Sequence, residues 1–218
     1  MRVHLKISTS KEIIPFKHQH LLVGTIHKWL GINKVHGEIS LYSFSLLENG
    51  KAEKEGLLFK NNTSMFFSSY DISLIKSIVK GIQSDPYMFN GLNVEEVILQ
   101  EDPDLSEREI FYLGSPIFIK TKDNDKIKFI YYDDPLASNY LKKTLQTKMK
   151  IAGIVDNTLD IYFDMHYPNA KIKKITYKGI DNKLSWCPVI VKGKSETKVF
   201  AWNVGLGNST GIGFGAIK

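Results

Sequence analysis

The chain has 218 residues, 43% of them hydrophobic and 24% charged. That is room for one large domain or two of about 100 residues, with enough apolar surface to fill a core, so dominant disorder is excluded. No apolar run approaches the ~20 residues of a bilayer-spanning helix. Met1–Ser10 alternates charged and apolar residues and carries no apolar signal core. A single cysteine, Cys187, leaves no internal disulfide and no cysteine-built metal site. Together these features lead us to expect a cytoplasmic protein. The net charge is +6, and it is uneven: residues 1–110 hold 12 basic and 14 acidic side chains, residues 111–218 hold 17 and 9, and nearly all the basic ones are Lys. Such a half-chain attracts a polyanion through counterion release. The plainer reading is a lysine-decorated surface without a partner.

Taken in chain order, Val3–Ser8 alternates with the period of a strand. Lys17–Leu30 places Leu22, Ile26, Trp29 and Leu30 at helical spacing, after Pro15. Ser40–Leu47 and Leu57–Phe67 are rich in β-branched and aromatic residues, with Asn61-Asn62 read as a turn inside the second. Asp71 is placed to cap a helix running to about Gln83, and Leu92–Gln100 reads as a last strand. This is the β-α-β-β-α-β order of a ferredoxin-like unit. Glu101–Glu109 is acidic and reads as a linker.

The second half begins with Ile110–Lys120, a strand broken at Ser115-Pro116 and so placed at an edge or bulge. Leu136–Met149 is helical, and Thr158–Tyr167, Lys171–Tyr177 and Pro188–Asn203 alternate as strands. The expected fold class is therefore α+β, two tandem ferredoxin-like domains over 1–109 and 110–218, the second diverged and strand-rich. Within Lys171–Tyr177, Lys171 and Lys173 share one face and Lys174 takes the other, so only one set can face a bound polyanion.

Five of the last fourteen residues are Gly. The spacing from Gly205 is G-x-G-x-x-x-G, this run holds no G-K-[ST], and too few residues follow for a helix, so the run is neither a dinucleotide fingerprint nor a P-loop. What remains is a loop whose backbone can approach a partner closely and offer N–H groups to phosphate, or a tight turn before a final strand Phe214–Lys218. Six histidines occur. His20, Gly24, His27 and Gly31 fall on one helical stripe left bare by its glycines, and His36 follows in the loop Asn33–Glu38. A loop His beside a helix face is a common way to build an acid/base pair. His18 and His20 point to different helix faces, and Glu38 is the lone carboxylate nearby, so no metal site is expected.

The C-terminal run Gly205, Gly207, Ser209, Gly211, Gly213, Phe214 and Gly215, on a basic chain of this order, resembles the glycine-rich signature of the CRISPR-associated repeat-cleaving endoribonucleases. These are the sixth Cas family, within the RAMP superfamily. Ile14-Pro15-Phe16-Lys17-His18-Gln19-His20 leading into Gly24-Thr25-Ile26-His27 resembles the family's first helix, Leu41-Tyr42-Ser43-Phe44-Ser45 the strand after it, and Ser115-Pro116-Ile117 the opening of the second domain. The resemblance implies a catalytic His in the loop after the first helix, where His36 stands, and a partner on the helix, where His27 stands. Many members add a Lys a few residues later. Ser40 stands near that place here, leaving Lys34 and Tyr42 as candidates for the polar helper.

It further implies RNA contact through Gly205, Gly207, Ser209, Gly211 and Gly213 and through Lys171, Lys173 and Lys174. CRISPR repeat RNA is the implied partner, with other Cas proteins of an interference complex as further candidates, a monomer or homodimer as the working form, and no cofactor. In this chemistry the RNA 2′-hydroxyl attacks the adjacent phosphate, one His acting as base and the other as acid, which leaves 2′,3′-cyclic phosphate and 5′-hydroxyl ends without a required metal. The alternatives are a non-catalytic protein that holds the repeat RNA and, less compatible with the charge, a small-molecule-binding domain.

Overall fold

The computed structural model describes residues 1–10, 12–31, 39–60, 62–123 and 126–218. The expected turn at Asn61-Asn62 lies partly outside them. In the first half, β1 (Arg2–Ile7) is one of the two inner strands of a four-stranded antiparallel sheet ordered β3 (Tyr42–Phe44), β6 (Thr63–Ser69), β1, β7 (Val94–Gln100). Helices α1 (Gln19–Leu30) and α2 (Ile72–Ser84) cover one face, where Val3, Leu5 and Ile7 meet Leu22, Ile26, Ile75 and Ile78. Asp71 caps α2 as its position predicts, accepting a hydrogen bond from Ser73 N at 2.8 Å. Gly81 lets the two helices close up, since a Cβ there would strike the Trp29 backbone.

The stretch Leu57–Phe67 is not one hairpin. β5 (Gly56–Phe59) pairs with β2 (Ile14–Pro15) and β4 (Gly50–Ala52) in a small separate sheet, and only β6 joins the main one. The residues 101–109 are irregular, as read, yet Leu105 is buried in the core of the second half.

The second half spreads its strands over three sheets. β8 (Ile110–Phe111) and β11 (Asp160–Phe163) flank β14 (Val189–Lys192), while β9 (Ile119–Asp123) pairs with β10 (Lys126–Ile130) and β12 (Lys171–Tyr177) with β13 (Ile180–Trp186). The helix α3 (Ala137–Ala152) packs on β11. The strand expected over Pro188–Asn203 stops at Lys192, and α4 (Ser195–Val204) follows. The cause is distant: the Asp156 carboxylate accepts from Lys194 N at 2.8 Å and from Thr197 Oγ1 at 2.7 Å. This supplies the negative charge that a helix N-terminus favours. The final strand Phe214–Lys218 is reduced to a single bridge between Leu113 and Ile217.

The second face of the β3-β6-β1-β7 sheet is covered by the second half. The run Met65-Phe66-Phe67 in β6 is apolar without alternation, as a strand buried on both faces requires. Ser43, Ser45, Ser68 and Ser69 are fully buried there, small enough for close approach; Ser43 Oγ donates to Asn203 O at 3.1 Å. Arg2 is the centre of this joint. Its guanidinium lies 3.8 Å from the Phe66 ring centroid and 3.5 Å from that of Trp202. It donates to Ser68 Oγ (2.6 Å), Trp202 O (3.0 Å) and Ile217 O (2.7 Å). Burial pushes its pKa down, Arg108 adds to that, and Asp102 opposes it.

Arg2→Ala should lower the unfolding free energy by roughly 3 kcal/mol or more, because a desolvated cation–π pair and charge-assisted hydrogen bonds are lost together. Urea denaturation measures this, and a loss under about 1 kcal/mol would show that the halves are held chiefly by other contacts.

Candidate functional site

The glycine-rich segment is folded into the protein. Gly205, Gly207, Gly211 and Gly213 are all buried, and Ser209 is half-buried with φ 61°. Leu206 N donates to Gly215 O at 2.8 Å, Asn208 N to Phe118 O at 2.7 Å and Gly215 N to Pro116 O at 2.9 Å, so these backbone groups are spent inside the chain. A Cβ on Gly211 would collide with Ser40 Oγ, and one on Gly215 with Leu206 O. The missing side chains therefore make room for protein, and the rim left open is Asn208–Ser209. Asn208 Oδ1 is itself held by Lys120 N at 2.9 Å.

Behind this turn stands a residue that the sequence reading passed over. Lys148 on α3 is 5% exposed and donates to Val204 O (2.9 Å), Gly205 O (3.2 Å) and Thr210 Oγ1 (3.0 Å). It thus satisfies carbonyls at the end of α4. Burial pushes its pKa from the ordinary 10.5 down to about 7. The signal was present: Lys148 falls on the same stripe as Leu141, Leu145 and Met149. Lys148, Thr144, Thr147, Ser40 and the 207–210 turn line a cleft of about 390 Å³.

Of the expected catalytic groups, Lys34 and His36 lie outside the described residues. His27 is half-buried in the last turn of α1. Gly24 and Gly31, which share its stripe, look onto open space: a Cβ on either would meet nothing within 4 Å. Tyr42 is 2% exposed, and its hydroxyl donates to Gly211 O at 3.4 Å. Burial raises its pKa, with a Ser40 hydrogen bond opposing. The phenol of Tyr42, one of the candidates for the polar helper, supports the turn from behind. His18 has its pKa lowered by burial and lies stacked near Phe89, while the exposed His20 accompanies Lys17 and Lys178 around a small cleft.

The lysines of β12 and β13 form a ribbon closed by Lys178-Gly179, both at positive φ, the geometry of a two-residue hairpin turn. Lys173 is half-buried over Trp186, 3.7 Å from its centroid, and its pKa is lowered by burial and by Lys171. On the other face Lys174 stands directly opposite Lys183, and Asp181, 3.1 Å from Lys174 Nζ, offsets part of that charge. Like charges in register oppose pairing, and a bound anion relieves them.

The family model described as CRISPR associated protein Cas6, C-terminal, matches residues 99–218. An endoribonuclease-like protein Cas6 from Pyrococcus furiosus is 23% identical over 240 residues, spanning 100% of this chain and 98% of its own. Among solved structures, a Cas6-related protein from Pyrococcus furiosus superposes with a TM-score of 0.83 at 23% identity, over 100% of this chain and 97% of that one. A RAMP protein described as binding different RNA substrates gives 0.83 at 21%, over 100% and 98%. These structural likenesses establish a shared fold.

Two outcomes follow from the turn. Gly211→Val should lower the melting temperature by several degrees, because Ser40 and Tyr42 must move, while any RNA affinity per folded molecule stays unchanged. Weaker binding at unchanged melting temperature would show instead that the glycine faces the ligand. The second outcome concerns Lys148. Between about pH 7 and 10.5 the unfolded chain holds a proton on this residue that the folded chain has released, so stability rises with pH across that window and is flat below it. The stability difference between wild type and Lys148→Met, from urea unfolding, should shift in favour of wild type over that range. A difference independent of pH would mean that the ammonium keeps its charge in the fold.

Proposed function

The chain belongs to the Cas6 family, by the match over residues 99–218, and on that premise we propose that it is a metal-independent endoribonuclease that cuts CRISPR repeat RNA into guide RNAs. Family membership is the observation that carries this reading. The ribbon of Lys171, Lys173, Lys174, Lys178 and Lys183 supports it with a surface suited to a phosphate chain. We read the two halves, divided near residue 109, as ferredoxin-like units, the first keeping the β3-β6-β1-β7 order and the second diverged.

His27 and His36 are the proposed acid and base. RNA carries its own nucleophile, so one imidazole removes the 2′-hydroxyl proton and the other protonates the departing 5′-oxygen. Lys34 is the proposed partner for charge gathering on the phosphorane, and Tyr42 acts by holding the glycine turn. The products are a 2′,3′-cyclic phosphate and a 5′-hydroxyl, the reaction takes place in the cytoplasm, and other Cas proteins receive the guide. A second reading, a protein that holds the repeat without cutting it, is favoured by the buried Tyr42 hydroxyl and by Ser40 where many members carry Lys.

Labelled repeat RNA incubated with the protein in EDTA separates the two readings. Cleavage should proceed, and a 2′-deoxy substitution before the cut should abolish it while binding persists. His36→Ala and His27→Ala should each slow single-turnover cleavage by about 10²-fold or more with affinity nearly unchanged. Tight binding without cleavage would support the non-catalytic reading, and a need for Mg²⁺ would point to an attacking water.

A further inference from the structure

At the base of the β12–β13 ribbon lies a cleft of about 220 Å³ lined by Tyr112, Leu113, Tyr167, Trp186, Pro188 and Lys218. None of these residues belongs to the 390 Å³ cleft or to the proposed acid/base pair. Tyr112 is 51% exposed, and its ring meets Tyr167 edge-on, 6.3 Å between centroids at 72°. Trp186, at the end of β13, is half-buried. Two cations stand beside Trp186, one of the lining residues: Lys173 over its ring, and Lys171 directly across the ribbon from it. Among the described residues no carboxylate lies within ion-pair distance of either, whereas Lys218 is already paired with Glu48 at 2.7 Å.

Three aromatic side chains around a space of this size, beside uncompensated ammonium groups, fit one chemistry. The ligand is flat and aromatic, and it is attached to an anionic chain. We propose that this cleft takes one unstacked base of a single-stranded RNA segment, the adjoining phosphates lying on Lys171 and Lys173; this rests on the RNA-binding reading above. A paired base is already stacked on its neighbours and does not enter, so the cleft selects for single-stranded character.

The test uses tryptophan emission of the full chain, because Trp29 and Trp202 are 2% exposed and Trp186 is the accessible one. A ten-nucleotide oligouridylate should quench the emission, and the abasic phosphoribose chain of equal length should not. Tyr167→Ala should weaken oligouridylate binding by ~10-fold or more, Tyr167→Phe should retain it, and binding of the abasic chain should be equal in all three. Trp186→Phe should lose the quench, and melting temperatures confirm that each variant is folded. Equal oligouridylate affinity in wild type and Tyr167→Ala, or a quench that survives Trp186→Phe, would overturn the cleft proposal while leaving RNA binding intact. Failure of both oligouridylate and repeat RNA to bind would overturn the RNA reading and this proposal together. Equal affinity for uridylate and abasic chains would leave a charged surface with no base site.

Discussion

A guanidinium clamped between two rings fixes how the halves of this molecule meet. Arg2 belongs to β1, an inner strand of the first half, and Trp202 and Ile217, which it engages, belong to the second. Burying a cation without a contacting carboxylate is unfavourable unless its donors are satisfied, and here hydrogen bonds and two aromatic faces replace the lost water. That requirement admits one arrangement. The serine-lined sheet face must lie flat against α4 and the C-terminal segment, or Arg2 is left buried and unmet. The packing of Phe66 against Gly114 depends on the same alignment.

The glycine turn inherits its position from that joint. Gln19, at the start of α1, donates to Ile212 O at 2.8 Å, Tyr42 reaches Gly211 from β3, residues 116–118 pair with it from the side, and Lys148 holds it from α3. The helix that bears His27 is thereby tied at its first turn to the glycine segment. A run of glycines resembling a ligand cradle is in this chain a close-packed junction. The surfaces left for a ligand are the Asn208–Ser209 rim, the lysine ribbon and the clefts beside them.

Much of this was legible in the sequence. Helices α1, α2 and α3 announced themselves by apolar spacing, β1 and β12 by alternation, and α2 by its capping Asp71. The unbroken Met65-Phe66-Phe67 run carried the further message that its sheet is covered on both sides. What failed to show was long-range. α4 reads locally as a strand, and the carboxylate that starts it comes from Asp156, 38 residues away. The aromatic cleft draws Tyr112 and Tyr167 from two separate connecting segments and Trp186 from β13, so no periodicity could have joined them. Lys148 was a different case: its place on an apolar stripe is a readable signal that a lysine there is buried and must find carbonyls. The expected pair of His27 with His36 remains a reading of spacing and family, since the second lies outside the described residues.

The make-up of the joint has a consequence for ionic strength. Dissolved salt screens exposed charges over distances of about 10 Å at 0.1 M, but it does little to a desolvated cation held by rings and carbonyls. Lys171, Lys174, Lys178 and Lys183 are all exposed to solvent, and Arg2 is 2% exposed. A polyanion on the ribbon is therefore held by forces that electrolyte erodes, while the two halves are held by forces that it leaves nearly untouched. Concentrated salt is thus a means of stripping such a ligand from the molecule without loosening the frame that presents it.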